Sequence, residues 1–151
     1  MPPGTLFGSY YVYPTATAIA RGWKLCDGSR REYQLLRRHA LKLAYWPTGR
    51  NDGDFGADID WDWIKSLEKK RIGELRIDEP INGHDNVRVI FFKANTVLPG
   101  EELMRIWLLT VFQKKTQQLT NAGIRAFGGM REIVCAEVLR RILSSVALRI
   151  L

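Results

Sequence analysis

The sequence predicts a single α+β domain, in which an antiparallel sheet of about four strands is packed by helices from both ends of the chain. A length of 151 residues and a hydrophobic content of 46% suit one domain with one core. Three segments have the composition and pattern of strands and are joined by short polar connections: Arg71–Ile77, Asn86–Lys93 and Met104–Phe112. Connections this short favour antiparallel pairing, because a parallel return needs about a dozen residues or more.

The N-terminal part is predicted to add an edge strand and a helix. Residues Leu6–Tyr13 are rich in β-forming side chains and are followed by a proline, which is typical of an edge strand. Residues 14–28 have no decisive pattern. Ser29 is a good helix N-cap, with Glu32 three residues later, so a helix is predicted to begin here and to end before Pro47.

The middle of the chain is acidic. Five aspartates lie within eleven residues, namely Asp52, Asp54, Asp58, Asp60 and Asp62. Residues 51–60 are predicted to form a polar loop, and Trp61–Lys70 a short helix with Trp63, Ile64 and Leu67 pointing inward. The loop resembles a calcium loop only faintly, because the glutamate at the twelfth position and the flanking helices are missing. We therefore expect neither a metal site nor a cofactor.

The C-terminal part is predicted to be helical. A short helix over Thr120–Phe127 is expected to break or bend at Gly128–Gly129, and a longer helix to follow from Met130 to Arg149. One apolar stripe runs along this longer helix, through Cys135, Val138, Leu139, Ile142 and Val146. The stripe either covers the sheet or binds a partner helix or a second copy of the chain as a homodimer.

The charge is positive and unevenly distributed. Lys and Arg number 23 against 16 Asp and Glu, which gives a net charge of +7 and favours binding to a polyanion, nucleic acid first. Eight basic residues lie after position 102, where only two acidic residues follow Leu103. Among the eight, Arg105, Arg125 and Arg131 are candidates for contacts with an RNA backbone.

Cysteine usage and hydropathy predict a cytoplasmic protein. Cys26 and Cys135 are far apart and form no zinc or disulfide spacing, which is typical of a reducing compartment. The first residues lack the pattern of a signal peptide. The apolar residues 133–151 are interrupted by arginines well short of a membrane-spanning length. We therefore expect no contact with a membrane.

No common catalytic motif is present, so the strongest chemical candidates are cations on the predicted strands. These are Arg76, Arg88, Lys114 and Lys115, with His84 in a loop as a possible proton shuttle. Such a set suffices for cleavage of RNA by its own 2′-hydroxyl, because the substrate supplies the nucleophile and the protein needs to stabilise charge and move protons. The simpler alternative is that Arg76 pairs with Glu74 or another carboxylate and that the lysines are solvated charges at a strand end.

Three runs of sequence lie on the predicted strands or at their ends: Ile72–Arg76 (IGELR), Val87–Phe92 (VRVIFF) and Leu108–Gln117 (LLTVFQKKTQ). Together these runs resemble the phage-derived RelE/HigB toxin family. The resemblance covers roughly residues 60–127, whereas residues 1–58 match poorly and residues 130–151 form a longer C-terminal helix than the family needs. It implies a compact sheet flanked by helices, cleavage of mRNA on the ribosome, inhibition of translation, and neutralisation by an antitoxin that often has a helix-turn-helix domain.

The resemblance also assigns roles to individual positions. Arg76 and Arg88 match the arginines of the first two runs, and Lys114 and Lys115 match the paired lysines of the third. Phe92 occupies a position where a tyrosine is common, so its hydroxyl is missing here. An alternative function from another class is a catalytically inactive relative that docks a protein partner.

Overall fold

The protein is an α+β fold built on a five-stranded mixed sheet. The computed structural model describes residues 9–49, 59–115 and 119–150, with side chains as far as Val146. The sheet has the order β1-β5-β4-β3-β2, with strands Tyr10–Pro14 (β1), Asp60–Trp63 (β2), Ile72–Ile77 (β3), Val87–Lys93 (β4) and Met104–Gln113 (β5). The prediction that β3, β4 and β5 are strands, with β3 antiparallel to β4 and β4 antiparallel to β5, is confirmed.

The predicted four-stranded, wholly antiparallel sheet is wrong in two respects, since there are five strands and β1 is parallel to β5. Local pattern could not reveal this pairing, because Tyr10 lies opposite Met104, far away along the chain. A parallel pair needs a long connection, which the intervening chain supplies. Strand β5 is thereby interior, as its apolar run Ile106–Leu109 predicts.

The undecided residues 14–28 form helix α1, Ala16–Leu25, which follows β1 directly. Thr15 fixes the junction, because its hydroxyl accepts a hydrogen bond from Ala18 N and donates one to Leu109 O. Its own N–H donates to Leu108 O. Helix α1 therefore continues along the edge of β5 where the short strand β1 ends.

Helix α2, Arg30–Leu41, begins as predicted. Ser29 is its N-cap, and the Ser29 hydroxyl accepts a hydrogen bond from Glu32 N. Leu36 and Ala40 point into a core on one side of the sheet. This core includes the following buried residues: Cys26, Leu36, Leu43, Leu75, Ile77, Ile81, Val87, Val89, Phe91, Ile106 and Val111.

The helix predicted over Trp61–Lys70 is wrong in its first half. Asp60–Trp63 is strand β2, paired with β3, and only Lys65–Lys70 is helical, as a 3₁₀ segment. The sequence Asp-Trp-Asp-Trp has the period of two that a strand needs, which places both tryptophan rings against Trp46 and Phe91. The acidic loop predicted at 51–60 lies mostly outside the described residues.

One helix, α3, spans Asn121–Ile150 without the break predicted at Gly128–Gly129. Packing on both sides of the glycine pair offsets the cost of two helical glycines, which is about 1 kcal/mol each. Phe127 and Val134 are buried against the second side of the sheet, called here the α3 face. That core contains Ile64, Leu67, Ile72, Ile90, Phe92, Trp107 and Leu109 as well.

Candidate functional site

Three adjacent strands bring three charged side chains together at one end of the α3 face. Glu74 on β3 lies opposite Ile90, and Arg88 on β4 lies opposite Phe112 of β5. Successive side chains alternate between faces, so both charged residues share the α3 face with Ile72 and Ile90. Lys114 directly follows β5, and its side chain reaches the same carboxylate. We call Glu74, Arg88 and Lys114 the charged triad.

The triad is compact and largely buried. Arg88 Nε lies 2.9 Å from Glu74 Oε1, and Lys114 Nζ lies 3.9 Å from the same oxygen. The exposed fractions of the side chains are 8% for Glu74, 13% for Arg88 and 16% for Lys114. Arg88 Nε and Glu74 Oε1 are buried, and neither has a hydrogen-bond partner of standard geometry within the described residues. The two atoms are therefore held together by charge without an aligned hydrogen bond between them.

Arg76 lies beside the triad but has a partner of its own. Arg76 is directly opposite Arg88 across the β3–β4 pair, and its Nη1 donates a 2.9 Å hydrogen bond to Asp60 Oδ1. The Arg76–Asp60 pair is neutral. In the triad two cations share one carboxylate, which leaves the triad itself with one net positive charge.

A cleft adjoins the triad at Lys114. Its volume is about 260 Å³. It is lined by residues from α1, the end of β5 and the first turns of α3: Arg21, Phe112, Lys114, Lys115, Leu119, Thr120, Gly123, Ala126, Phe127 and Met130. None of these residues is acidic, so the cleft extends the positive field of the triad.

The remaining predicted catalytic residues lie at different distances from the triad. Lys115 is exposed and Lys114 is half-buried beside Glu74, and both side chains line the same cleft. His84 closes a tight turn between β3 and β4, where its backbone exchanges two 2.9 Å hydrogen bonds with Ile81. Within the described ranges no contact joins the His84 ring to the triad.

The three predicted RNA-binding arginines do not converge. Arg105 is buried, donates hydrogen bonds of 2.8 and 2.6 Å to Glu101 and stacks 3.7 Å from the centre of the Tyr13 ring. It lies at the start of β5, roughly 30 Å along the strand from Lys114. Arg131 donates to Lys70 O and packs against the Phe92 ring. Arg125 alone is exposed near the cleft, in the first turns of α3.

The prediction from sequence did not include Glu74 or Arg21 in the site. Glu74 is two residues from Arg76 in a strand, a spacing that places both on one face, but only the register shows that its partners are Arg88 and Lys114. Arg21 reaches the cleft from α1, where its Nη1 donates to the hydroxyl of the fully buried Thr110. The sequence around Arg21 does not predict its place in the cleft, because that place depends on a contact with a residue 89 positions away.

Two titratable groups outside the site have altered pKa values. Burial lowers the pKa of Lys93, and the nearby charge of Arg71 lowers it further. Its amine lies 5.1 Å from the centre of the Tyr10 ring and 5.2 Å from that of Trp46. Burial raises the pKa of the Cys26 thiol, with a smaller effect of the same sign from Glu32. Both groups lie in the core on the opposite side of the sheet from the triad.

Comparison of the chain with protein-family models, with curated proteins and with solved structures finds no match. In the described part of the chain no helix is both long enough and apolar enough to cross a bilayer. The same segments hold no group of three or more His, Cys, Asp or Glu side chains placed to bind a metal ion. The geometry of the triad and its cleft is therefore the basis for a functional proposal.

Proposed function

We propose that the chain is an endoribonuclease that cleaves RNA by attack of the 2′-hydroxyl on the adjacent phosphodiester. The observation that carries the proposal is the convergence of a buried carboxylate, an arginine and a lysine from three neighbouring strands beside a positively charged cleft. Each of the three groups corresponds to one requirement of this reaction, namely a base, a stabiliser of negative charge and a proton donor.

The roles follow from the chemistry of the side chains. Glu74 accepts the proton of the 2′-hydroxyl while the 2′-oxygen forms a bond to phosphorus. Arg88 stays protonated and binds the phosphoryl oxygens, on which negative charge increases in the transition state. Lys114 donates a proton to the departing 5′-oxygen as its bond to phosphorus breaks. The products are a 2′,3′-cyclic phosphate and a 5′-hydroxyl end.

The ion pairing within the triad is compatible with this reaction. Arg88 holds Glu74 near the site in the free protein, at 2.9 Å. A phosphate competes with Glu74 for the guanidinium, which offers five N–H donors, and this competition releases the carboxylate to act as a base. Arg76 lies directly opposite Arg88 on the neighbouring strand. Its ion pair with Asp60 is exposed, and exposed ion pairs contribute little to stability, so the Arg76 side chain is available to bind the RNA backbone.

The resemblance to RelE/HigB toxins supports a more specific form of the proposal. The substrate is then mRNA on the ribosome, the site of action is the cytoplasm, and an antitoxin forms the protein partner. The fold is compatible with it, because the region that the resemblance covers, roughly residues 60–127, includes β3, β4, β5 and the start of α3, which supply the triad and most of the cleft.

The direct test is cleavage by the purified chain of free RNA and of mRNA in translating ribosomes. We expect cyclic-phosphate products, no cleavage at a position that carries a 2′-deoxy nucleotide, and a loss of at least about 100-fold in Arg88→Ala and Lys114→Ala. Arg38→Ala removes an exposed cation of α2, on the opposite side of the sheet from the triad, and is the matched control. Equal activity of all four proteins would contradict the proposal.

A second candidate function, docking of a protein partner without catalysis, is favoured by one observation. The C-terminal half of α3 exposes Leu139, Leu143 and Val146, and Ile133 is 74% exposed nearer its start. Large exposed apolar side chains in a continuous helix are typical of a binding surface. If wild-type chain lacks nuclease activity but Leu139→Asp together with Leu143→Asp abolishes association with a partner or with a second copy, this function replaces the first.

A further inference from the structure

The cleft beside the triad has the chemistry of a nucleobase-binding site. We propose that it binds an unpaired base of the nucleotide that adjoins the cleaved phosphodiester, so that the substrate is single-stranded RNA. This inference rests on the proposed nuclease function, which it extends from the reacting phosphate to the neighbouring nucleotide. Lys114 belongs to both the triad and the cleft wall, so the bound nucleotide and the reacting phosphate would meet at this side chain.

The floor of the cleft is aromatic. The rings of Phe112 and Phe127 are stacked, with centroids 6.0 Å apart and planes inclined by 29°. Phe127 is buried and anchors the start of α3 on the sheet, whereas Phe112 is half-buried and faces the cleft. An aromatic surface binds any base through its π face, which is the usual basis of sequence-tolerant recognition of single strands.

The wall formed by α3 leaves room for a flat ring. Gly123 and Ala126, three residues apart on the helix, present almost no side chain to the cleft. A Cβ atom built on Gly123 meets only the Thr120 hydroxyl, at 3.2 Å. A larger residue at either position would fill the space between the helix and Phe112.

The rim carries three cations and no carboxylate. Arg21, Lys114 and Lys115 approach from two different elements, and the hydrogen bond to Thr110 holds Arg21 in place. An uncharged aromatic or aliphatic compound would gain nothing from this rim, whereas a nucleotide within a strand has phosphates on the 5′ and 3′ sides of its ribose. Charge complementarity therefore favours a nucleotide over an uncharged ligand.

The experiment uses a fluorescently labelled 2′-O-methyl RNA strand, which cannot be cleaved, and the same strand with one central abasic nucleotide. Binding of each strand is measured by anisotropy to wild type, to Ala126→Trp and to Ile133→Trp. Ile133 is on the same helix, is 74% exposed and does not line the cleft, so it controls for the added tryptophan.

We expect the abasic change and Ala126→Trp each to weaken binding roughly 5- to 100-fold, and the two effects to be non-additive because both remove the same stacking contact. Ile133→Trp is expected to bind as wild type does. The inference would be overturned if the losses of binding free energy from the abasic change and from Ala126→Trp were fully additive, or if the two tryptophan variants bound RNA equally well. The abasic strand tests wild type directly, so the result stands even if Ala126→Trp fails to fold.

The same proteins separate this inference from the nuclease proposal. If wild type cleaves RNA while Ala126→Trp and Ile133→Trp cleave it equally well and bind equally well, the base site is excluded and the nuclease function stands. If wild type cleaves no RNA but the non-additive binding pattern is seen, the base site stands and the catalytic roles of the triad are excluded.

Discussion

Arg88 and Glu74 form an ion pair of 2.9 Å on adjacent strands, with only 13% and 8% of their side chains exposed. Replacing one member of such a buried pair leaves the other uncompensated, which is costly, whereas the intact pair adds little net stability. A buried charge pair with a second cation, Lys114, sharing its carboxylate is thus hard to explain by stability alone. Lys114 connects the pair to the adjoining cleft, which is consistent with a role in function.

Replacement of Glu74 by glutamine separates catalysis from binding. Glu74→Gln keeps the shape but removes the base, so cleavage is expected to fall by about 10²- to 10⁴-fold. Affinity for an uncleavable RNA should stay the same or increase, because a negative charge near the phosphate is lost. Cleavage rate and anisotropy measured on one preparation test this, with circular dichroism as the folding control. Weaker RNA binding with unchanged cleavage would contradict the assigned role.

Arg105 is expected to act in stability and not in RNA binding. Arg105→Met removes two hydrogen bonds to Glu101 and the stacking on Tyr13, so the free energy of unfolding should fall by roughly 1–3 kcal/mol. RNA affinity should not change, because Arg105 lies at the opposite end of β5 from Lys114. Urea denaturation and RNA titration give the two values. Arg125→Met, on the exposed surface of α3, is the companion variant, and a larger loss of affinity in Arg105→Met would reverse the assignment.

Two features that depend on residues close together in the sequence were predicted correctly, whereas two features that depend on distant residues were not. The Ser29 cap and the alternation in Ile72–Ile77 act over a few residues, and both are as predicted. The parallel pairing of β1 and the position of Arg21 depend on contacts across roughly ninety residues, for which the sequence contains no local signal.

In the candidate site, too, the local relationships were predictable and the contacts between strands were not. The sequence allowed a pair between Arg76 and Glu74, which strand alternation places on one face. Only the register of three strands revealed that Glu74 belongs with Arg88 and Lys114, and that Arg76 pairs with Asp60 instead.

Two glycines provide a matched test of the packing. A Cβ atom at Gly73 would lie 2.4 Å from Phe91 Cζ, whose ring is fully buried and cannot move away, so Gly73→Ala should lower the free energy of unfolding by about 1–3 kcal/mol. A Cβ atom at Gly129, inside α3, would meet no atom within 4 Å, so Gly129→Ala should raise stability by up to about 1 kcal/mol. Chemical denaturation of both variants tests the pair, and destabilisation by Gly129→Ala would argue against a continuous α3.

The lowered pKa of Lys93 makes stability depend on pH at alkaline values. In the unfolded chain this amine titrates near 10.5, and burial and Arg71 lower its pKa in the folded state. Between the two pKa values the unfolded chain binds more protons than the folded chain. The contribution of Lys93 to the free energy of unfolding therefore rises with pH across that window, by about 1.4 kcal/mol for each unit of pKa difference.

Lys93→Met has no amine to titrate and lacks this rise. The stability of wild type relative to Lys93→Met should therefore increase as the pH is raised from 7 toward 10.5, as measured by urea denaturation at several pH values. Lys24→Met, on an exposed side chain, controls for the loss of a lysine as such. Parallel stability curves for wild type and Lys93→Met would show that the amine is not held in the buried, aromatic surroundings of Tyr10 and Trp46.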